Sequence, residues 1–554
     1  MSSLVSAGSA GGVPVLILRE GSTRTRGKEA QGNNITAAKT ISEIVKSSLG
    51  PRGMDKMLVD SMGDVTITND GATILKEMDV EHPAAKMMVE IAKTTDTEVG
   101  DGTTSVVVLA GELLRKAEGL LDKAVHPSII VDGYKKAADK ALEIYSDMAI
   151  PTTSTNKEML GKIARTSIAT KMVSGNKQLF ADLAVEAVLN VAEKVGSEYK
   201  VSLDDIKVEK KVGASLEDTK RIDGIVLDKE VVHSGMPKKV ENAKIALITS
   251  ALEIEKTEFD AKINIEKPEQ IKAFMDEEEH LLSDMVEKIA KSGANVVICQ
   301  KGIDDMVQHF MAKKGILAIR RAKESDMEKL AKATGGRVTN SLDDLTASDL
   351  GKAKLVEERK VGEDKWTFIE GCHNPHAVTI LIRGGTDKIV DEAERSIHDA
   401  LSVVKDVVQK PKVVAGGGAP ETEASARLRR WAEKLSGREQ LAALAFAEAL
   451  EVIPITLAQN AGLDPIDIIV DLRAKHEKGE KWYGVNAIEG KATDMAKLEV
   501  YEPLVVKEQI IKAASEAAIM ILRVDDVIAG GKSRAPAGPP MPPGGGMGGM
   551  GGME

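Results

Sequence analysis

One stretch, Val99-Gly100-Asp101-Gly102-Thr103-Thr104-Ser105, decides how the rest of the chain is interpreted, and an apolar run begins directly after it. The apolar positions from Val106 to Leu120 recur at spacings of three, four and seven residues, which is the pattern of one helical face. Glycine at the start of such a pattern lets the backbone turn sharply. The stretch therefore predicts a tight glycine turn that leads into a helix.

The start of this helix is suited to binding a phosphate. Gly102 leaves the backbone unshielded, and Thr103-Thr104-Ser105 supply free N–H groups and hydroxyls. A helix N-terminus also carries roughly half a positive charge, which attracts anions. Asp101 is a hard oxygen ligand of the kind that Mg²⁺ takes beside phosphate oxygens. In isolation the same string also fits an ordinary Asp/Thr-capped helix, so other parts of the chain must distinguish these interpretations.

The composition is that of a globular protein with several domains. At 554 residues the chain is too long for one core, and we expect about three or four domains. Aromatic residues make up only 3%, so the cores must be aliphatic. The net charge of −11 argues against nucleic acid as a main ligand, because a phosphate backbone requires a basic surface.

The cysteine content and the apolar segments indicate a cytoplasmic setting. Cys299 and Cys372 cannot form a disulfide framework for a chain of this size, which favours a reducing compartment. The apolar run from Val13 to Leu18 is too short for a signal peptide, and no later segment reaches the roughly 18 apolar residues of a membrane helix. We therefore expect a soluble, cytoplasmic protein that has no membrane partner.

Composition shifts divide the chain into regions. Residues 1–30 are expected to form a mobile arm, and helical spacing predicts a helix over residues 34–49 and helix-rich structure over residues 83–150. Linker-like compositions at residues 151–155 and 372–375 mark two candidate boundaries. The chain is thus expected to change its architecture near these two points.

Between the two boundaries, strands and helices alternate. Short apolar runs over residues 205–250 predict strands, and Pro268 begins a long helix that ends at Gly293. Residues 296–335 follow a βαβα pattern, which is typical of a small α/β domain with a parallel element. Helices dominate the last part of the chain, apart from an expected loop near residues 484–486.

The remaining motifs favour a nucleotide over a metal. A second glycine turn, residues 416–420, also begins a helix, and Asp70 lies in the turn Asn69-Asp70-Gly71. Cys372-His373 and His376 lack a fourth ligand at zinc-finger spacing, so we expect no zinc site. The residues themselves therefore indicate a nucleotide-binding protein and leave its activity open.

Four motifs in a fixed order resemble those of a known family. They are Leu49-Gly50-Pro51-Arg52-Gly53-Met54-Asp55-Lys56, Thr68-Asn69-Asp70-Gly71-Ala72-Thr73-Ile74-Leu75, Gly100-Asp101-Gly102-Thr103-Thr104 and Val414-Ala415-Gly416-Gly417-Gly418. Together they resemble a group II chaperonin, the type of the archaeal thermosome and of its relatives in the eukaryotic cytosol. The resemblance covers nearly the whole chain.

The resemblance implies a multidomain α/β fold, the chaperonin fold, in which two of three domains are discontinuous. A helix-rich equatorial domain binds ATP and makes ring contacts, a small intermediate domain acts as a hinge, and an α/β apical domain with a helical protrusion binds substrate. The implied boundaries are 1–152 with 410–554 for the equatorial, 153–222 with 375–409 for the intermediate, and 223–374 for the apical domain. The charged insert at about 251–279 resembles the protrusion that serves as a built-in lid.

The implied function is that of an ATP-dependent molecular chaperone. Identical or paralogous subunits are expected to form two stacked rings of eight or nine, and ATP hydrolysis with Mg²⁺ closes the lid over a non-native polypeptide. The alternative is a passive ring or filament scaffold that holds unfolded chains and binds nucleotide as a structural ligand. The presence of all three implied carboxylates, Asp70, Asp101 and Asp399, favours the first function.

The resemblance also implies roles for individual residues. Asp101 is expected to hold Mg²⁺, and Asp70 and Asp399 to position and activate the attacking water. The other implied contacts are with the nucleotide. Gly50 and Pro51 are expected to touch it, and Gly102, Thr103, Thr104 and Ser105 to bind its phosphates. Thr170 and Lys171 are expected to contact its γ-phosphate, and Gly417, Asn486 and Glu502 to lie around its ribose and base.

Two of these interpretations depend strongly on the resemblance. A lone Asp in an amphipathic helix, such as Asp399, is usually a solvated surface residue, and only the family pattern gives it a catalytic role. The Gly- and Met-rich tail, residues 541–554, has no means of forming a core. We expect this tail to hang into the chamber without contributing to ring assembly.

Overall fold

The structure is a computed structural model that describes residues 23–254, 268–374 and 377–529. The buried apolar residues of this part of the chain form three large clusters and one small one. Each large cluster is a separate hydrophobic core, as expected for a chain too long to fold around one.

The cores do not follow one another along the chain. The first core combines residues 35–148 with residues 414–522, and the second combines residues 160–206 with residues 378–413. The third core lies within residues 225–377. The chain thus leaves the first core, crosses the second, builds the third, and returns through both.

Sixteen helices lie in the described residues. They are α1 (Gly27–Lys46), α2 (Gly71–Glu77), α3 (Pro83–Val99), α4 (Thr103–Asp122), α5 (Pro127–Met148), α6 (Lys157–Ile168), α7 (Lys177–Val191), α8 (Pro268–Ser292), α9 (Asp305–Lys313), α10 (Glu324–Thr334), α11 (Asp387–Gln409), α12 (Ala419–Ala432), α13 (Arg438–Leu450), α14 (Val452–Asn460), α15 (Pro465–Glu477) and α16 (Leu504–Leu522).

The same residues contain twenty-one strands, most of them short. They are β1 (Thr23–Arg26), β2 (Lys56–Val59), β3 (Val65–Thr68), β4 (Ile150–Pro151), β5 (Glu193–Val195), β6 (Glu198–Lys200), β7 (Ile206–Val212), β8 (Lys220–Ile222), β9 (Gly224–Leu227), β10 (Lys239–Ile248), β11 (Val296–Cys299), β12 (Leu317–Ile319), β13 (Val338–Thr339), β14 (Gly351–Val361), β15 (Asp364–Cys372), β16 (Val378–Gly384), β17 (Lys412–Ala415), β18 (Tyr483–Asn486), β19 (Lys491–Asp494), β20 (Tyr501–Pro503) and β21 (Asp526–Ala529).

The helix predicted after the glycine turn is α4, and it lies at the centre of the first core. α1, α3, α5, α13 and α16 pack around it. Its buried residues include Val106, Leu109 and Leu113, but also Val107 and Val108, so more than one face is buried. A helix that is enclosed by neighbours has no solvent-facing side to keep polar, which explains the unbroken apolar run.

The second core is a three-stranded sheet with helices packed against it. β16 lies between β7 and β8, parallel to β7 and antiparallel to β8. α7 and α11 pack on this sheet, and α6 packs on both helices. The strand β17, which follows α11, pairs with β4 and β20, so a small sheet connects the second core to the first.

The third core is a larger sheet with both parallel and antiparallel strands. β10, β11 and β12 run parallel, which confirms the predicted βαβα pattern. β14, β15 and β9 continue the sheet with antiparallel pairing. The β14–β15 hairpin has no counterpart in the sequence analysis, because its strands are rich in charged residues and lack a clear alternation.

Two local expectations are wrong. The expected loop at residues 484–486 is part of β18, which pairs with β19 as a hairpin. The expected mobile arm up to residue 30 already contains β1, which pairs with β21, and α1 begins at Gly27. Both errors have one cause, because short strands gain their order from a partner that is distant in sequence.

One stretch of the described chain, Arg438–Asn460, is long and apolar enough to cross a membrane by composition, but 72% of its most apolar window is buried. It corresponds to α13 and α14, which pack in the first core, so its apolar character is explained by core packing. Three features of the sequence analysis lie outside the described residues: residues 255–267 of the predicted lid, His376, and the tail at 541–554. Residues 268–279 of the predicted lid are described, and they lie on α8.

Candidate functional site

The glycine turn before α4 leaves its first N–H groups open to a ligand. Gly102 occupies the N-cap position with a φ of 79°, and it has no side chain with which to cap the helix. A Cβ at this position would lie 2.8 Å from Cδ1 of Ile510, and the positive φ is strained for any other residue, so glycine is favoured here. The Asp101 carboxylate lies beside the turn and accepts a hydrogen bond from the Gly102 N–H at 2.6 Å.

A second helix start meets the first one. Asp70 caps α2 by accepting a hydrogen bond from the Thr73 N–H at 2.8 Å, and its other oxygen accepts one from the Thr103 hydroxyl at 2.9 Å. A Cβ on Gly71 would lie 2.8 Å from the backbone nitrogen of Thr104, so glycine permits the two helix starts to touch. The open start of α4 and the start of α2, which Asp70 caps, therefore lie side by side.

Lys171 joins two carboxylates at this place. Its Nζ lies 2.6 Å from Oδ2 of Asp399 and 4.0 Å from Oδ1 of Asp70. All three side chains are at most 10% exposed, so solvent screens their interactions only weakly. Asp399 is thus not a solvated surface residue: α11 turns it inward, toward the starts of α2 and α4.

The two carboxylates have opposite pKa shifts. Burial alone would raise the pKa of Asp70, but Lys171 and the hydrogen bonds from Thr73 and Thr103 outweigh it and hold this pKa below its ordinary value. Burial raises the pKa of Asp399 well above its ordinary value; Lys171 opposes this, whereas the charges of Asp70 and Asp101 add to it. Burial therefore makes Asp399 the carboxylate that binds a proton more readily, even though Lys171 lies closer to it than to Asp70.

The second glycine turn, before α12, packs against the β18–β19 hairpin. Gly417 has a φ of 67°, and a Cβ on it would lie 2.7 Å from Cε of Met495. The Val485 N–H donates to the Gly417 carbonyl at 2.8 Å, which joins the hairpin to the turn. Asn486 stands at the end of β18, where its side-chain oxygen accepts from the N–H groups of Ile488 and Glu489, both at 3.1 Å.

A buried ion cluster that the sequence analysis missed stands next to this turn. Lys507 Nζ lies 2.9 Å from Glu421 Oε1 and 2.6 Å from Glu502 Oε2. Burial would lower the pKa of Lys507, but the two carboxylates raise it above its ordinary value. The sequence signal for the cluster is weak: Lys507 follows three apolar residues at the start of α16 but directly precedes Glu508 and Gln509.

These parts line one cavity of about 470 Å³. Every predicted site residue lines it except Asp399, which reaches it through Lys171. The predicted lining residues are Gly50, Pro51, Asp70, Asp101, Gly102, Thr103, Thr104, Ser105, Thr170, Lys171, Gly417, Asn486 and Glu502. The cavity also has basic and apolar walls that were not predicted, with Lys162, Arg165 and Lys177 among the basic residues and Ile453, Leu457 and Val485 among the apolar ones.

The donor set of the cavity suits a metal that arrives with its ligand. Within residues 23–254, 268–374 and 377–529, no three His, Cys, Asp or Glu side chains are grouped closely enough to hold a metal ion by themselves. Mg²⁺ does not need such a group, because it commonly binds one or two carboxylates together with phosphate oxygens and water. Asp101, at the start of α4, offers this kind of incomplete site.

The fold and the cavity define a class of protein, a multidomain α/β chain with an anion-binding cavity between two of its cores. A model of the TCP-1/cpn60 chaperonin family matches residues 41–532, so the chain belongs to the TCP-1/cpn60 chaperonin family. Thermosome subunit beta of Archaeoglobus fulgidus is 59% identical to it over 518 residues, which cover 94% of this chain and 95% of that protein.

Other relatives are equally similar. Thermosome subunit alpha of Archaeoglobus fulgidus is 59% identical over 528 residues, covering 95% of this chain and 97% of that protein. Thermosome subunit beta of Thermococcus kodakarensis is 59% identical over 521 residues, covering 94% and 95%. The expected membership among the archaeal group II chaperonins is thereby confirmed.

Family membership also settles the general function. The chain is a chaperonin subunit with ATPase activity, from a family whose members bind nucleotide, form oligomeric rings and bind protein substrates. Of the two functions considered above, the ATP-driven chaperone is therefore supported over the passive scaffold.

Proposed function

We propose that this subunit hydrolyses Mg²⁺-bound ATP in the cavity, with the reaction centred on Lys171 and the two carboxylates beside it. The observation that carries the proposal is the position of Lys171 Nζ, 2.6 Å from Asp399 and 4.0 Å from Asp70, next to the N-terminus of α4. Phosphoryl transfer to water requires a bound phosphate chain, a metal and an oriented water, and little covalent chemistry from the protein.

The start of α4 is assigned to the phosphates. The N–H groups of Thr103, Thr104 and Ser105, the unshielded backbone at Gly102 and the helix dipole would bind the phosphate oxygens, and Asp101 would hold Mg²⁺. When bound, Mg²⁺ neutralises charge that develops on the phosphate oxygens. Thr170 and Lys171 would contact the γ-phosphate, since their loop lies directly opposite Asp70.

The opposite pKa shifts suggest different roles for the two carboxylates. Asp70 stays ionised and would orient the attacking water by accepting a hydrogen bond from it. Asp399, whose pKa is raised, would accept the proton that this water loses. A pair of groups with separated pKa values is the arrangement expected of an acid–base site.

The far end of the cavity is assigned to the nucleoside. Glu502, held by Lys507, is the group that would accept hydrogen bonds from the ribose hydroxyls, with Gly417 and Asn486 beside it. Gly50 and Pro51 would contact the nucleotide from the loop that follows α1. The apolar side chains of Ile453, Leu457 and Val485 provide the flat, weakly polar wall that a purine base requires.

The domain division and the assembly are part of the same proposal. The first core would be the equatorial domain (1–152 with 410–554), the second the intermediate domain (153–222 with 375–409) and the third the apical domain (223–374). We expect two stacked rings of eight or nine identical or paralogous subunits in the cytoplasm. Hydrolysis in the first domain would close a lid, at about 251–279, over a non-native polypeptide.

Two substitutions test the assignment. Asp399→Ala should bind Mg²⁺-ATP with nearly unchanged affinity but hydrolyse it at least about 100-fold more slowly, because the proton acceptor is lost. Asp101→Ala should instead weaken the binding of Mg²⁺-ATP, which isothermal titration at several Mg²⁺ concentrations measures. Wild-type hydrolysis by Asp399→Ala would remove the catalytic assignment, and Mg²⁺ affinity unchanged by Asp101→Ala would remove the metal assignment.

A further inference from the structure

The inward face of α11 carries charged residues that the proposed chemistry does not use. Glu392, Arg395 and Asp399 are spaced by three and four residues, so they lie on one side of the helix. The Glu392 side chain is only 1% exposed. Its helix belongs to the second core, and the side chain faces β3, next to the first core. A buried carboxylate in such a position must be paired.

Glu392 has two partners, one from each side of the boundary between the cores. Its carboxylate accepts a hydrogen bond from Arg395 Nε at 2.8 Å within α11. It also interacts with the hydroxyl of Thr68, the last residue of β3, a strand against which α11 packs. Arg395 reaches the same strand, with Nη2 at 3.5 Å from the carbonyl of Ile67.

The Thr68 hydroxyl also contacts the backbone of Asp70, the carboxylate that is proposed to orient the attacking water. It accepts a hydrogen bond from the Asp70 backbone N–H at 3.1 Å, and the Thr68 residue is fully buried. A hydroxyl has one hydrogen to donate and two lone pairs to accept with. Since it accepts from the Asp70 N–H, its own hydrogen is free to face a carboxylate, and Thr68 can link the Asp70 backbone to Glu392.

We propose that Glu392 is a positioning residue for ATP hydrolysis: through Thr68 it fixes the backbone of Asp70 to α11, so that Asp70 and Asp399 meet the same water. This inference rests on the proposed function, which assigns that water to these two carboxylates. Neither Glu392 nor Thr68 lines the cavity, so both act through Asp70.

The contact between α11 and the first core is close enough for this role. A Cβ on Gly100, at the end of α3, would collide with Ser402 of α11, so glycine is required where the helix meets the nucleotide turn. Asn69, next to Asp70, donates a hydrogen bond to the Thr170 carbonyl in the loop that carries Lys171. Asp70 is thus flanked by contacts to the second core, and a displacement of about 1 Å in such a site can cost roughly 100-fold in rate.

A set of substitutions separates positioning from simple stability. Glu392→Met removes the acceptor at similar length, and Thr68→Val removes the hydroxyl at similar volume. Glu392→Gln and Thr68→Ser keep an acceptor and a hydroxyl and serve as the conservative variants. Glu394→Met is the matched control on the same helix, since Glu394 is 39% exposed and pairs with Lys210 outside the cavity.

The readouts are kcat for ATP, the Kd of Mg²⁺-ATP, and the midpoint of thermal unfolding of the assembled protein. We expect Glu392→Met and Thr68→Val to lower kcat by roughly 10- to 100-fold while Kd changes less than about twofold. The conservative variants should restore most of kcat, and Glu394→Met should match the wild type. The double variant Glu392→Met/Thr68→Val should fall no further than either single variant, because both break one chain of contacts.

Several results would overturn the proposal. They are a wild-type kcat in both single variants, losses that multiply in the double variant, or a loss of kcat that only follows a lowered unfolding midpoint. Failure of this inference differs from failure of the proposed function. If Asp399→Ala is inactive while Glu392→Met and Thr68→Val are fully active, only the inference is wrong; if Asp399→Ala is active, the proposed function itself is wrong.

Discussion

The two walls of the cavity are built in different ways. The wall that holds the starts of α2 and α4 and the Gly417 turn belongs to the first core, whose helices are joined by close apolar packing. The opposite wall, formed by the C-terminal half of α6 and the Lys171 loop with α11 behind them, belongs to the second core. Near the cavity it meets the first wall through polar contacts: Lys171 with Asp70, Asn69 with Thr170, and Glu392 with Thr68.

This difference suggests a division of labour. Apolar packing is dense and resists sliding, so the first wall is preformed for binding. Polar contacts can be exchanged for water at a small net cost, so the second wall is able to separate from the first and return. Binding and hydrolysis are therefore expected to respond differently to substitutions in the two walls.

The largest effect is expected in the first wall, at Lys507. Lys507→Met leaves the buried Glu421 and the partly exposed Glu502 without their cation, and breaking a buried ion pair from one side costs about 3–5 kcal/mol. We expect a clearly lower unfolding midpoint together with weaker nucleotide binding. Lys512→Met, at an exposed position of the same helix, is the control. Unchanged nucleotide affinity in Lys507→Met would show that this cluster does not support the binding wall.

The next effect is expected in the second wall, at Lys171. Lys171→Met removes the charge between Asp70 and Asp399, and we expect kcat to fall by about 100-fold, the loss typical of a missing electrostatic group. Lys171→Arg should keep part of the activity. Single-turnover hydrolysis at saturating ATP is the appropriate measurement. If Lys171→Met lowered the affinity for ATP but left the single-turnover rate unchanged, the proposed assignment of binding to the first wall and hydrolysis to the second would be wrong.

A smaller effect is expected at the phosphate turn. Gly102→Ala places a Cβ at 2.8 Å from Ile510 and imposes a positive φ on a residue that disfavours it, so the turn must shift. We expect Mg²⁺-ATP to bind about 10-fold more weakly, an energy of about 1.4 kcal/mol. Gly119→Ala is the control, because it lies on the same helix and a Cβ there meets open space. Equal affinities for the two variants would contradict the assignment.

The smallest effect is expected in α11, where the titration of Asp406 makes the stability of the protein depend on pH. Burial raises the pKa of Asp406 to about 7; Lys405 and Lys410 oppose this, and the Asp101 charge adds to it. The folded protein thus holds this proton more tightly than the unfolded chain, whose carboxyl has its ordinary pKa of 3.8. Stability should therefore fall as the pH rises from about 4 to about 7 and then remain level.

Asp406→Asn removes this titration. We expect the variant to exceed the wild type in stability by about 1 kcal/mol at pH 8, less than the full shift implies, because the buried amide also lacks a partner. At pH 4 and below, where the wild-type carboxyl is largely protonated in both states, the variant should be no more stable than the wild type. Unfolding midpoints measured across this range test the prediction, and a difference that does not depend on pH would contradict it.

Much of the local structure could be predicted. The helices α4 and α5, the βαβα segment and the two glycine turns follow from periodicity and from glycine and proline positions, which are local signals. The hairpins β14–β15 and β18–β19 could not be predicted, because their strands are stabilised by pairing partners and not by their own composition. The site residues were assigned from family motifs, and their roles remain predictions.

The sequence by itself determined that this chain has helix starts able to bind phosphate, an aliphatic interior, and the ordered motifs of a chaperonin. Only the tertiary structure decided which charged and polar groups meet: Lys171 with Asp70 and Asp399, Lys507 with Glu421 and Glu502, and Glu392 with Thr68. The physical reason is the distance along the chain over which each interaction acts. Helix periodicity and turns depend on neighbours a few residues apart, whereas the pKa of a carboxylate depends on burial and on charges that the fold brings from distant parts of the chain.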